Sequence, residues 1–326
     1  MMTTRMQTKK SSYTFDYDIA VDAAKTQRSI FWTPDEIEVE KDIQDMRVNM
    51  TEAEAHGITT TLKLFTLYEL EAGAEYWGRR VMRMFPRPDI QQMANAFSFF
   101  ELNVHAPFYN AINEALMINT DEFYLSYLED PVLGERMEFI EEVVCHEDDL
   151  VSLGAFSIVE GAILYSAFAF LMHFQAKGKN KMKNVCSGVK FSVRDENLHS
   201  EGGAWLFRTL RDEKLASGDI NEGDVMRINA QLLNMAGEVL HHESAIIDKI
   251  FEKGDIEGIN KEQLKEFVNH RIDFCLGNLG IKIEKEVEGV IEKWFYPQIN
   301  ATQMHDFFAG MGSEYNRDWK EDNFKW

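Results

Sequence analysis

One apolar segment limits what this chain can fold into. Residues 151–174 are almost uniformly apolar, but a single acidic residue, Glu160, lies near the middle of the run. The segment is long enough for a membrane span of about 20 residues, but a carboxylate at mid-span is unfavourable in lipid. We therefore expect a helix buried on nearly all sides of a large domain, with no membrane insertion. A buried carboxylate needs a partner or a metal ion, so Glu160 is the first candidate site residue.

The remaining sequence also predicts helices. Only 6 of the 326 residues are proline, and residues 33–36 (Thr-Pro-Asp-Glu) and 51–54 (Thr-Glu-Ala-Glu) have the pattern of helix starts. The second would open a helix that runs to Phe85. We expect one all-α domain over residues 1–296, a bundle of long helices whose core can hold metals, and a flexible tail over residues 297–326.

The charge balance excludes some classes of partner. The chain has 34 Lys+Arg and 55 Asp+Glu, a formal net charge of −21. Binding to nucleic acid or to an anionic membrane surface depends on clustered cations, so we expect neither as a direct partner. Three cysteines are too few and too scattered for a disulfide framework or a cysteine-rich zinc site, which indicates a cytoplasmic location.

The acid-x-x-His pattern places both side chains on one helix face, which suits a dinuclear metal site in a bundle. It occurs twice, at Glu196–His199 and Glu238–His241, about as often as chance gives from 55 acids and 9 histidines. The first pair follows the buried segment that contains Glu160, whereas the second leads into a polar run typical of a solvated face. We therefore favour Glu196 and His199 as ligands.

Another acid and histidine, Glu101 and His105, are spaced by four residues, which also places them on one face, and phenylalanines flank them. For any single residue of this kind, a buried polar group satisfied by hydrogen bonds is the simpler interpretation. Several carboxylates and two histidines on apolar helices together favour a metal centre. Carboxylate-rich ligation with two imidazoles suits iron or manganese better than structural zinc.

Taken in order, five motifs resemble the small, radical-generating subunit of class I ribonucleotide reductase over nearly the whole chain. They are Phe31-Trp32-Thr33-Pro34; Glu101, His105 and Tyr109; Val159-Glu160-Gly161; Arg194-Asp195-Glu196-Asn197-Leu198-His199; and Gly312-Ser313-Glu314-Tyr315-Asn316-Arg317. The resemblance implies a ferritin-like helical bundle with a dinuclear metal site in its core.

The resemblance also implies the ligands of that site. The first is a carboxylate of the predicted 51–85 helix, and a separation of 34 residues from His105 favours Glu71, with Glu69 and Glu75 as rivals. The remaining five ligands fall on Glu101, His105, Glu160, Glu196 and His199. We expect a di-iron centre first, with di-manganese or mixed manganese–iron as alternatives.

The chain departs from the family pattern at its first acid–histidine pair. The family has Glu-x-x-His, but Leu102 stands three residues before His105, and the acid is one position earlier, at Glu101. Pro107, in the same helix, removes the hydrogen bond to the carbonyl of Asn103. We predict a locally widened turn that rotates Glu101 into the site. A regular helix with Glu101 pointing away would contradict this.

By resemblance, Tyr109 holds a radical that the metals generate and that a separate large subunit uses to reduce ribonucleotides. Trp32, Asp195 and Tyr315 would carry the transfer, Phe168 would help to keep the radical dry, and the C-terminal tail would bind the large subunit. The resemblance also implies a homodimer. The residues themselves leave plainer interpretations open, in which Tyr109 is core packing and Trp32 a hydrophobic staple.

Two other functions remain open from the sequence. A ferritin-like di-metal oxidase or monooxygenase acting directly on a small substrate would share the ligands but would not need Trp32, Tyr315 or the tail. A metal-storage or structural helical protein would use neither Tyr109 nor the tail.

Overall fold

The computed structural model describes residues 4–176, 178–281 and 289–300. Helices dominate, and no β-strand occurs among these residues. The α-helices are α1 (Asp18–Ser29), α2 (Glu52–Leu70), α3 (Met82–Met84), α4 (Pro88–Phe100), α5 (Ala106–Leu116), α6 (Asp121–Leu125), α7 (Pro131–Cys145), α8 (Asp149–Ala162), α9 (Tyr165–Met172), α10 (Lys183–Ser217), α11 (Glu222–Ile250), α12 (Lys261–Asn278) and α13 (Glu292–Asn300). The predicted all-α architecture is confirmed.

The helix starts predicted from capping patterns have different outcomes. Thr51 begins α2 with a complete capping box, because its hydroxyl accepts from Glu54 N and the Glu54 carboxylate accepts from Thr51 N. Thr33 begins only a short 3-10 turn, Pro34–Glu36, rather than the predicted α-helix. At the other end of the chain, α13 continues across the predicted domain boundary at residue 296.

The apolar segment that contains Glu160 forms the centre of the bundle. The stretch Asp149–Gln175 has the length and apolar character of a membrane span, but its side chains are buried inside the protein. The prediction of a buried helix is therefore confirmed. A small residue next to Glu160 lets other helices approach: a Cβ on Gly161 would lie 2.3 Å from Cys275 Sγ of α12 and 2.5 Å from Ser200 Oγ of α10.

Between α8 and α9 the central stretch is interrupted at Ile163 and Leu164. A buried ion pair satisfies backbone groups at this break. Arg136 donates to the carbonyl of Ile163, and its guanidinium lies 3.0 Å from Glu243 Oε1. Ser166 N donates to the other oxygen of Glu243 at 3.3 Å. The interruption is therefore a specified feature of the core, because side chains from α7 and α11 bind the Ile163 carbonyl and the Ser166 N–H.

Two π-helical segments lie in the helices that surround the centre. One, Glu71–Val81, joins α2 to α3, and the other, Glu101–His105, joins α4 to α5. In the second segment, Ala106 N donates to the carbonyl of Glu101, five residues earlier. The widened turn that we predicted before Pro107 is therefore present.

Candidate metal centre

Carboxylates and histidines from four parts of the bundle converge in its core. Their potential ligand atoms form two groups, and within each group these atoms lie within 4.8 Å of one another. We call Glu69, Glu101, His105 and Glu196 subsite A, and Glu101, Glu160, Glu196 and His199 subsite B. All six side chains are buried. Because Glu101 and Glu196 belong to both subsites, the arrangement suits two adjacent cations bridged by carboxylates.

Each histidine turns one nitrogen towards the carboxylates and the other towards a separate acceptor. His105 Nδ1 lies 2.8 Å from Glu101 Oε2 and 3.2 Å from Glu196 Oε1, while its Nε2 lies 3.2 Å from Asp195 Oδ2. His199 Nδ1 lies 2.5 Å from Glu101 Oε1, while its Nε2 lies 3.0 Å from Gln27 Oε1. Since the amide and carboxylate oxygens can only accept, both Nε2 atoms carry the proton.

Burial opposes a charge on these two rings, but the Glu101 carboxylate outweighs it and raises the pKa of His105 well above its ordinary value and that of His199 to about 9. Without a cation each Nδ1 therefore also carries a proton, and a bound cation would take its place. Four oxygens of the cluster, those of Glu69 and of Glu196, are buried and make no hydrogen bond within the described residues. Buried polar atoms in proteins normally have partners. The donor set and its unsatisfied atoms therefore fit a carboxylate-rich dinuclear centre of iron or manganese.

The electrostatics of the cluster support the same interpretation. Burial raises the pKa of Glu69 well above its ordinary value, and the neighbouring Glu101 carboxylate adds to the rise. Burial also raises the pKa of Glu160, with Glu196 adding to it. For Glu101, burial acts in the same direction, but the His199 and His105 imidazoles outweigh it and hold its pKa well below the ordinary value. Divalent cations would remove the mutual repulsion of these carboxylates.

The structure corrects the expected first ligand. Glu71 is only partly buried and belongs to neither subsite, whereas its rival Glu69 lies in subsite A. The third candidate, Glu75, forms an ion pair with Arg79 on the surface side of the helix. Glu69 stands 36 residues before His105, two more than the separation used for the prediction. Both π-helical segments lie between these two residues, and each accommodates extra residues relative to an α-helix.

Trp32 and Asp195 form a hydrogen-bonded pair next to His105. Trp32 is 2% exposed, and its Nε1–H donates to Asp195 Oδ2 at 2.8 Å. The same oxygen accepts from His105 Nε2. A continuous hydrogen-bonded path therefore joins the indole to a candidate ligand. Tyr315 lies outside the described residues.

Tyr109 is completely buried, and its hydroxyl makes no hydrogen bond among the described residues. Burial raises its pKa well above the ordinary value, and the Glu69 carboxylate adds to the rise. Its ring lies 4.4 Å from that of Phe65 and 5.1 Å from that of Phe108, measured between centroids. Phe168 packs behind Phe65, at 5.7 Å. The expected dry environment is present, although Phe65 rather than Phe168 is the nearer ring.

Three residues that contact the centre had no signal in the sequence. Gln27 orients His199, while Tyr68 and Trp77 donate to the two oxygens of Glu160 at 2.9 and 2.7 Å. Single amides and aromatic residues have no characteristic spacing, so only the fold reveals them. By contrast, Glu238 and His241 are exposed, as the polar run around them predicted.

A helical bundle that holds paired carboxylates and histidines in its core defines a di-metal carboxylate protein. The family is more specific. Residues 9–284 match the model of the ribonucleotide reductase small chain, and this chain belongs to that family. It is therefore the small subunit of an oxidoreductase that works with a large subunit.

Individual relatives are distant but cover most of the chain. The ribonucleoside-diphosphate reductase 2 subunit beta of Escherichia coli (strain K12) is 25% identical over 88% of this chain and 87% of its own length. A probable ribonucleoside-diphosphate reductase small subunit of Invertebrate iridescent virus 3 is 22% identical over 92% of this chain and 82% of its own.

Solved structures share the fold. The dimanganese(II) NrdF protein of Streptococcus sanguinis superposes with a TM-score of 0.72 at 20% identity, over 84% of this chain and 92% of its own. A putative class I ribonucleotide reductase from Bacillus halodurans gives a TM-score of 0.71 at 22% identity, over 86% and 95%. The ferritin-like architecture expected from the sequence is thus confirmed.

Proposed function

We propose that this small subunit stores a tyrosyl radical on Tyr109, beside a dinuclear metal centre formed by subsites A and B. The observation that carries the proposal is the pair of ligand groups sharing Glu101 and Glu196, with buried carboxylate oxygens that have no hydrogen-bond partner in the part of the chain that the structure describes. The completely buried Tyr109 next to this cluster supports the assignment of the radical, because a phenoxyl radical survives only where water is excluded.

The ligand set limits which metals the centre can hold. Oxygen-rich ligation with two imidazoles suits iron and manganese alike, and the Streptococcus sanguinis neighbour is a dimanganese(II) protein. We take di-iron as the leading assignment, with di-manganese and mixed manganese–iron as alternatives. In each of these three forms the bound metal pair, once an oxidant has reacted with it, would supply the one-electron oxidising power that Tyr109 needs. The protein's own contribution is to hold six ligands in place and to keep Tyr109 dry.

For transfer to the large subunit, we propose the path from the centre through His105 and Asp195 to Trp32. Its support is the pair of hydrogen bonds that Asp195 Oδ2 accepts from the two rings. Tyr315 and the tail, residues 297–326, would continue the path and dock on the large subunit. We further propose a homodimer and, from three free cysteines, a cytoplasmic location.

Electron paramagnetic resonance after loading with iron or manganese and an oxidant tests the radical assignment. We expect a tyrosyl signal in the parent protein and its loss in Tyr109→Phe, with metal still bound. A signal that persists in Tyr109→Phe would refute Tyr109 as the radical site.

Two further variants test the transfer path. Asp195→Asn removes the negative charge and replaces one carboxylate oxygen with an NH2 group, which can only donate. In one orientation this group faces the N–H groups of Trp32 and His105, and in the other it faces the Arg194 guanidinium, which donates to Oδ1. Deletion of residues 316–326 removes the last 11 of the 30 residues of the proposed docking segment. Both variants are expected to keep the tyrosyl signal but to lose ribonucleotide reduction with the large subunit at least tenfold. Full ribonucleotide reduction in both variants would refute the proposed path and the docking role of the tail.

A further inference from the structure

Glu160 differs from the other candidate ligands because both of its oxygens are held by buried donors. The Tyr68 hydroxyl donates to Oε2 at 2.9 Å, and the Trp77 indole N–H donates to Oε1 at 2.7 Å. Both rings are fully buried, at 1% and 0% exposure. By contrast, Glu69, which occupies the corresponding position in subsite A, has no hydrogen bond to either oxygen within the described residues.

The two donors come from one continuous stretch of helix, although their spacing would separate them on an α-helix. Residues 68 and 77 are nine apart, which is two and a half turns at 3.6 residues per turn and places side chains on opposite sides. Here both reach one carboxylate because the stretch Glu71–Val81 is π-helical. A π-helix has more residues per turn than an α-helix, so Trp77 is carried round to the face that bears Tyr68 and Glu69.

Close packing holds this π-helix against the centre. A Cβ on Gly73 would lie 2.8 Å from Glu101 Cβ and 2.7 Å from Leu102 Cγ. The Trp77 ring packs edge-on against Phe97 at 4.9 Å and against Tyr76 at 5.0 Å. The indole therefore has little freedom to leave Glu160.

We propose that the π-helix Glu71–Val81 is a positioning device, which through Trp77, together with Tyr68, fixes the carboxylate of Glu160 for a cation in subsite B. This inference rests on the proposed dinuclear centre. Hydrogen bonds to an ionised acceptor are stronger than neutral ones, and a ligand that is already oriented loses less freedom when it binds. Subsite B is thus pre-formed on its Glu160 side, whereas subsite A has a carboxylate without such support.

The affinities of the two ions should therefore respond differently when a donor to Glu160 is removed. Outer hydrogen-bond partners of metal ligands typically contribute 10- to 100-fold to metal affinity. Removing either donor to Glu160 is therefore expected to weaken one of the two bound ions by roughly 10- to 100-fold, while the other ion binds as before.

Anaerobic titration of the metal-free full-length protein with Mn(II) tests this, because the resonance of free Mn(II) gives the number and affinity of bound ions. Trp77→Phe and Tyr68→Phe each remove one donor and keep an aromatic ring. Tyr76→Phe is the matched control: its hydroxyl is equally buried, has no hydrogen-bond partner among the described residues, and its ring stacks on Phe156.

We expect the parent and Tyr76→Phe each to bind two Mn(II) ions, and the affinities in Tyr76→Phe to be within twofold of those in the parent. Trp77→Phe and Tyr68→Phe should each weaken a single ion and stay folded without metal, although the loss of a buried hydrogen bond lowers their metal-free melting temperatures. Parent-like binding of two ions by both donor variants would overturn the positioning role and leave the dinuclear centre standing. A parent protein that binds no Mn(II) and no Fe(II) would overturn the centre and this inference together.

Discussion

At the scale of single residues, each histidine of the centre has its own acceptor, and the two acceptors differ chemically. Asp195 serves His105 and also binds Trp32, so it joins the centre to the indole. Gln27 serves His199 and is neutral. Both fix the ring so that Nδ1 faces the cluster, but only the carboxylate also accepts from a redox-active ring. This difference places the proposed transfer path on the His105 side of the centre.

His173 is a buried histidine that belongs to neither subsite, and it predicts how the free energy of unfolding depends on pH. The ring of His173 donates from Nδ1 to the carbonyl of Phe170, and its Nε2 lies 3.1 Å from Lys179 Nζ, which donates to it. Burial lowers the pKa of His173 to about 3, from an ordinary value of 6.5. In the folded protein the His173 imidazole therefore stays neutral, whereas in the unfolded chain it binds a proton as the pH falls below about 6.5. The folded state is consequently less stable at lower pH.

As the pH falls from 7.5 to 5.0, we expect His173 to lower the free energy of unfolding by about 2 kcal/mol. Urea titrations of metal-free protein at both pH values measure it, and His173→Gln should lose less stability over this interval than the parent. Burial also lowers the pKa of His242, to about 4. Because His242 is unchanged in this variant, its contribution to the pH dependence of stability remains. An equal pH dependence in parent and variant would contradict the assignment.

The sequence predicted the site residues that share a pattern and missed those that do not. Glu101, His105, Glu196 and His199 were found because acid and histidine recur on one helix face, and Glu160 because an acid interrupts an apolar run. Gln27, Tyr68 and Trp77 have no such pattern, and their roles depend on contacts between helices remote in sequence. Glu71 was preferred to Glu69 from a separation in residues, which does not account for π-helical turns, and in the structure Glu69 rather than Glu71 lies in the cluster.

At the scale of helices and turns, the π-helical segment Glu71–Val81 depends on a residue without a side chain. Gly73→Ala would place a Cβ within 2.8 Å of Glu101 and Leu102, so helix or ligand must move. We expect a loss of about 1–3 kcal/mol in unfolding free energy, as for other overpacked cores, together with weaker Mn(II) binding.

The chain offers a matched control for this change. Gly237 lies within α11 and is exposed, and a Cβ there would meet no atom within 4 Å. Gly237→Ala is therefore expected to stabilise the protein by up to about 1 kcal/mol, the ordinary helix preference of alanine. If both alanine variants changed stability alike, close packing at Gly73 would not be the cause.

The break between α8 and α9 gives a second prediction about a local element. Both partners of the buried pair are almost inaccessible, with Arg136 at 3% and Glu243 at 0% exposure. Arg136→Met would leave the Glu243 carboxylate buried without its cation, which costs about 3–5 kcal/mol in comparable pairs. Adding Glu243→Gln should restore at least about 1 kcal/mol, because a neutral amide needs no cation. Thermal and urea unfolding of the single and double variants measure both effects.

Helix positions were therefore easier to predict than helix geometry. The capping box at Thr51 and the apolar run with one acid determine where α2 and α8 lie. Pro107 indicated the π-helical turn at Glu101–His105, because it removes one specific hydrogen bond. Nothing comparable marks Glu71–Val81, whose widened turns depend on packing between Gly73 and the helix that bears Glu101.

For the whole molecule, the excess of acidic residues has two different origins. The formal net charge of −21 counts every acid as an uncompensated anion. Four of those acids, Glu69, Glu101, Glu160 and Glu196, lie together in the core rather than on the surface. Two divalent cations would bring the formal charge to about −17. The buried repulsion, unlike the surface charge, is then relieved by metal binding.

This predicts that metal binding and global stability are coupled. A ligand that binds only the folded state stabilises it by about 2.7 kcal/mol when present at 100 times its dissociation constant. Mn(II) in such excess is therefore expected to raise the melting temperature of the metal-free protein by several degrees, and a chelator to reverse the rise. Glu196→Gln removes a carboxylate shared by both subsites, so this variant should lose most of the metal-dependent rise.

Glu238→Gln is the matched control, since Glu238 belongs to the chain's other acid-x-x-His pair and is exposed. It should keep the full metal-dependent rise in melting temperature. Calorimetry of parent and both variants, with chelator and with Mn(II), makes the comparison directly. A similar rise in Glu196→Gln and in the parent would mean that Glu196 is not a ligand of the stabilising ions.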